Sequence, residues 1–160
     1  MPTVICNTSP CLIPKELFKE EKIQAYWHCL NAPTNDERIG KDELQNFFLL
    51  YAKSKNEDTI HEITSMYQNM QEHFQNQKHA ICVSENDKGI NLFALKDGNM
   101  VYAGCFQCTA KEDVLYHLTN MSQQYFEDIS SIAFFYQQLS SDTLRFLNQY
   151  YEMQKLIDYV

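Results

Sequence analysis

The one short motif with the spacing of known chemistry is Cys105-Phe106-Gln107-Cys108, a C-x-x-C. Two thiols at that spacing serve as a redox pair when they open a helix, because the helix N-terminus lowers the thiol pKa. Here the motif closes an apolar, strand-like run, where residues three apart point to opposite faces. His117 is the one histidine close enough in sequence to approach Cys108. No second C-x-x-C and no closely spaced histidine pair completes a zinc set, so no metal site is assigned. The other cysteines (Cys6, Cys11, Cys29 and Cys82) read as reduced, small hydrophobic residues in a chain with no secretory leader. Hydrolysis by a serine triad finds no Gly-x-Ser-x-Gly elbow.

Composition sets the frame for these residues. At 160 residues, 44% hydrophobic with ten Phe and ten Tyr, the chain can fill a packed core and is not disordered. No window approaches the roughly 18 apolar residues of a membrane span. Twenty-one acidic residues against 13 basic ones, a net charge of −8 with no basic cluster, argue against nucleic acid and anionic membranes as partners. The expected location is the cytoplasm.

The element pattern is densest from His79 to Tyr125. AICVSE, GINLFALK and NMVYAGCF read as three strands. They are joined by turns at Asn86-Asp87-Lys88-Gly89 and Lys96-Asp97-Gly98-Asn99, the second an Asp-Gly hairpin signal. The loose alternation of INLFALK suggests a strand covered on both faces. Thr109 with Glu112 forms a potential capping box for a helix whose core face is Val114, Leu115, Leu118, Met121 and Tyr125. SIAFFY then reads as a buried strand, Ser140 or Ser141 as the cap of a last helix, and KLIDYV as a final strand or a docked tail.

Earlier in the chain, Thr3–Cys6 is β-rich. Pro14 suits the first turn of a helix over Lys15–Leu30, with Ile23, Tyr26, Trp27 and Leu30 on one face. Asn31–Gly40 reads as a loop or domain boundary, and Asn46–Ala52 as a strand. Ser54 with Glu57 is a second potential capping box. It precedes a helix carrying Ile60, Ile63, Tyr67, Met70 and Phe74 on its apolar stripe. His61 and His73 fall off that stripe and read as solvated.

A three-strand meander followed by helix, strand and helix predicts a mixed α/β sheet of the ribonuclease H-like kind, the building block of actin-like ATPases. Residues 79–160 would form one such subdomain. Residues 1–78, read as strand-helix-strand-helix, would suit the end of a preceding one.

CLIPKELFKEEKIQAYW, His79 and FALKDGNMVYAGCFQCTAKEDVLYHL resemble a bacterial family, domain-of-unknown-function family 3822. The resemblance covers nearly the whole chain and implies an actin-like ATPase fold. Members are usually longer at the N-terminus, so the resemblance implies either the latter part of such a protein or a member with a lost first subdomain. Actin-like ATPases hold phosphate in an Asp-x-Gly turn between the first two strands of a domain. The matching residues here are Asp87 and Gly89. A tight turn presents N–H groups to an anion, Gly permits close approach, and Asp can orient a metal-bound water. The same Asn-Asp-Lys-Gly run is also ordinary hairpin chemistry. Gln107-Cys108-Thr109 stands where a glycine pair would precede the next helix, and four glycines in all leave little backbone to wrap a triphosphate. A ribonuclease H-like nuclease would need converging carboxylates. Here Glu85, Asp97 and Asp113 fall at a strand end, a far turn and a helix start.

The reading that follows is a non-catalytic, actin-like-fold interaction module with no required cofactor. Its partner would be another protein or a second copy, drawn in by exposed aromatics of the YYEMQKLIDYV tail. The alternative is an ATP–Mg-binding protein or weak ATPase using Asp87 and Gly89.

Overall fold

The computed structural model describes residues 4–6, 8–28, 35–56 and 58–156. Cys29, Leu30, residues 31–34 of the expected Asn31–Gly40 loop, Glu57 and the last four residues fall outside that set. So do the side chains of Cys6 and Trp27.

The centre is a five-stranded mixed sheet. Strands β6 (Ala80–Asn86), β7 (Gly89–Lys96) and β8 (Asn99–Phe106) form the antiparallel meander expected from the turn residues. Helix α3 (Lys111–Tyr125) follows, then β9 (Ala133–Tyr136) beside β6 and parallel to it. Helix α4 (Ser141–Leu147) leads into β10 (Met153–Lys155), which pairs in parallel with β9 and takes in only Lys155 of the KLIDYV run, whose last four residues lie outside the described residues. The spatial order β8-β7-β6-β9-β10 reads 3-2-1-4-5 when numbered along this part of the chain.

Both faces of β7 are buried, which is why its alternation is blurred. Phe93 and Leu95 join Ile63, Met66, Tyr67 and Met70 of α2 (Glu62–His73) in one cluster. Leu92 and Ala94 join Val114, Leu118 and Met121 of α3 in the other. Successive residues on a strand face opposite sides, so one strand fills two cores.

The first 78 residues depart from the expected pattern. Strand β1 (Val4–Cys6) pairs in parallel with β5 (Thr59–His61). Between them lies a three-stranded antiparallel sheet in the order β2-β4-β3, made of β2 (Cys11–Pro14), β3 (Glu37–Leu44) and β4 (Phe47–Ser54). The helix expected from Lys15 is two 3₁₀ turns and a five-residue α1 (Ile23–Trp27). Helical periodicity gives way because Phe18 turns onto Phe48 (ring centroids 4.7 Å apart) and the Tyr26 hydroxyl accepts the Lys19 N–H. Among the described residues no helix is long and apolar enough to cross a membrane.

Candidate functional site

The Asn86–Gly89 turn stands between two clefts. Asn86 Oδ1 accepts the Lys88 N–H at 2.9 Å, which closes the turn. Gly89 is buried at φ +143°, and a Cβ there would lie 2.0 Å from the Phe106 carbonyl oxygen. Its missing side chain therefore lets the exit of β8 cross the turn closely. Asp87 is exposed and lines neither cleft, whereas Gly89 lines both. The turn thus brings Gly89, but not Asp87, to the cavities.

The first cleft, about 260 Å³, lies between Thr8 and Ser9 at the exit of β1 and Asn86, Lys88, Asn91 and Cys105 of the meander. Lys88 and Glu37 are its charged groups. The second, about 350 Å³, is walled by Glu85, Gly89, Cys108, the start of α3 and the start of α4. Glu85, Lys111 and Asp142, three of its charged groups, are already engaged. Glu85 accepts the Ser140 N–H (2.7 Å) and the Thr143 hydroxyl (3.1 Å), tying β6 to the cap of α4. Lys111 and Asp142 pair at 2.9 Å, and each holds the other in its charged form, raising the amine and lowering the carboxyl.

Beneath the first cleft runs a buried polar network that sequence patterning does not reveal. Glu62, only 4% exposed, accepts from Ser84 Oγ (2.7 Å), Asn86 Nδ2 (3.4 Å) and Asn91 Nδ2. Asn91 Oδ1 accepts the Cys105 thiol. His61, expected in solvent, is fully buried: its Nδ1 caps α2 by accepting the Ile63 N–H (3.1 Å), and its Nε2 lies 2.7 Å from the Thr8 carbonyl. Only the neutral imidazole protonated at Nε2 satisfies both bonds, and burial pushes its pKa down. Ile60, read as the first residue of the apolar stripe, belongs instead to β5, so α2 starts at Glu62 and His61 is its cap. His73 is half-buried.

The thiols do not form an activated pair. Cys105 reaches into the first cleft and Cys108 lines the second, where burial, aided by Asp113 and Glu85, pushes its thiol to about 11. His117 stacks on Phe106 at 4.0 Å between centroids. Asp113, rather than Glu112, caps α3: its Oδ2 takes the N–H groups of Thr109 (2.8 Å) and Ala110 (3.0 Å). Asp97 meets His79 (3.2 Å) at the end of β7 remote from Glu85. Glu85, Asp97 and Asp113 therefore do not converge. Among the described residues no three His, Cys, Asp or Glu side chains come together as a metal site.

Comparison with known proteins follows the same lines. A solved structure from Bacteroides thetaiotaomicron VPI-5482, described as having an actin-like ATPase fold and unknown function, superposes with a TM-score of 0.71 at 17% identity. The match covers 89% of this chain and 61% of that one, and at such identity it establishes the fold alone. No curated protein matches. Residues 3–130 match the family described as "protein of unknown function (DUF3822)". With most of its length matched, this chain belongs to that family.

Proposed function

We propose that this actin-like-fold protein is a non-catalytic interaction module of the cytoplasm. The carrying observation is that the turn able to hold phosphate is committed to its own chain. Asn86 takes the Lys88 amide, Gly89 faces the Phe106 carbonyl, and Asp87 stands outside both clefts. The second cleft adds three carboxylates against one lysine already paired. The outer surface carries Leu17 (64% exposed), Tyr116 (65%) and Tyr150 (56%), large apolar groups of the kind enriched where proteins meet. Among the described residues of the tail, Tyr150 is the exposed aromatic, since Tyr151 stacks on Phe134 at 4.2 Å and shares a hydrogen bond with Thr119.

Sedimentation across a concentration range tests self-association through this surface. We expect a concentration-dependent increase in mass that Tyr150→Ser abolishes. A monomer at every concentration would exclude a second copy as the partner.

The alternative is nucleotide binding, favoured by one observation: Gly89 lines two open clefts at once. Calorimetric titration with Mg-ATP separates the readings. Micromolar binding would replace the interaction module with a nucleotide-binding protein, and its loss in Lys88→Ala would put the nucleotide in the first cleft.

A further inference from the structure

We propose that Glu62, at the start of α2, is the positioning residue that sets the Asn86–Gly89 turn. The inference is independent of whether the clefts take a nucleotide.

An ionised carboxyl has no hydrogen to donate. With Glu62 accepting from both Asn86 Nδ2 and Asn91 Nδ2, each amide must turn its NH₂ inward and its oxygen away. The outward oxygens are then the acceptors on the cleft side. Asn91 Oδ1 takes the Cys105 thiol, and Asn86 Oδ1 takes the Lys88 N–H that closes the turn. A flipped Asn86 would set its oxygen against the carboxyl and its NH₂ against the Lys88 N–H, two repulsive contacts in place of two bonds. The third donor, Ser84 Oγ, fixes the other carboxyl oxygen. Charge-assisted bonds of this kind are shorter and stronger than neutral ones, and they offset the cost of burying the group. The rim of both clefts is thus oriented by a helix residue 24 positions before Asn86 in the chain.

The test is NMR of the full chain, following Lys88 amide exchange and the side-chain NH₂ resonances of Asn86 and Asn91. In Glu62→Leu, Lys88 protection should fall about tenfold, the worth of one hydrogen bond. Amides in the β6–β9 ladder, such as Gln137 bonded to Val83, should keep theirs. Glu62→Gln should restore the wild-type pattern, because its amide oxygen can face both asparagines while its NH₂ faces the Ser84 hydroxyl. Unchanged Lys88 exchange in a folded Glu62→Leu overturns the proposal, as does a Glu62→Gln protein that behaves like Glu62→Leu.

Should Glu62→Leu fail to fold, Asn86→Asp at the rim decides. It keeps an acceptor for Lys88 but opposes Glu62 with an oxygen. Lys88 protection should then be lost at neutral pH and return on acidification, when one of the facing carboxyls takes a proton. Full protection at neutral pH overturns the proposal.

Discussion

Gln45 and Gly98, 53 positions apart, join the tips of two hairpins: Gln45 Nε2 donates to the Gly98 carbonyl (2.7 Å) while its Oε1 accepts the Met100 N–H (2.9 Å). One side chain therefore fastens the inserted β2-β4-β3 sheet to the β7–β8 turn. Gln45 pays for this with a positive φ of 43°, which glycine would adopt freely. Two hydrogen bonds at roughly 1 kcal/mol each put the loss in Gln45→Ala near 2 kcal/mol. Gln45→Gly should lose less, because it relieves the backbone while forfeiting the same bonds. Urea midpoints with an unchanged slope would report both. Equal midpoints for Gln45→Ala and wild type would show that the latch contributes nothing.

Gly89 and Gly98 both sit in hairpins, and their substitutions should differ sharply. A Cβ at Gly89 meets the Phe106 carbonyl at 2.0 Å, backbone that cannot rotate away, whereas at Gly98 nothing lies within 4 Å. Gly98→Ala should therefore cost only the left-handed penalty of about 1–2 kcal/mol at φ +75°. Gly89→Ala should cost about 4 kcal/mol or leave the chain unfolded. Thermal unfolding of the two variants side by side checks the ranking, and similar melting temperatures would contradict it.

What could be read from the sequence was whatever is specified locally. Asp97-Gly98 marks its turn because both residues adopt positive φ, and the β6–β8 meander follows from such signals. Ser140 caps α4 through the Thr143 N–H, as a serine ahead of an apolar run implies. Strand β3 was hidden because ERIGKDEL is mostly charged. It is a strand because β4 needs a partner along its whole length, from Glu37 opposite Ser54 to Leu44 opposite Phe47. No local pattern carries that pairing. His61 was misplaced for a related reason: an apolar stripe describes the interior of a helix and is silent about its cap. The Glu62 network lay beyond reach altogether, since its donors come from three places on two other strands. In the candidate site, Gly89 was legible as the glycine of a tight turn, and the orientation of Asp87 away from the clefts was not.

The thiol of Cys108 titrates near 11, so about a thousandth of it is thiolate at pH 8. Cys82 is buried completely, and that burial pushes its thiol well above the usual range. Alkylation of the native protein at pH 8 should leave both peptides largely unmodified by mass spectrometry, while unfolding in urea exposes them to full reaction. Rapid labelling of Cys108 in the folded protein would reopen the case for a reactive C-x-x-C pair.

His61 makes folding stability depend on pH in a direction that can be worked out. Burial lowers its pKa in the folded state, outweighing the Thr8 carbonyl and the carboxylates of Asp42 and Glu62, which favour the charged ring. In the unfolded chain it titrates near 6.5. Above that value both states carry a neutral ring and the cap on α2 is fully present. As the pH falls below it, the unfolded state gains a proton that the folded state refuses, so stability declines until the lowered folded value is passed. The half-buried His117, also lowered by burial, acts in the same direction more weakly because solvent screens it. The melting temperature should accordingly drop between pH 7 and pH 5. His61→Gln should flatten that slope at a cost of about 1 kcal/mol at pH 7, the worth of a helix cap. A His61→Gln protein with the same pH slope as wild type would place the dependence on other groups.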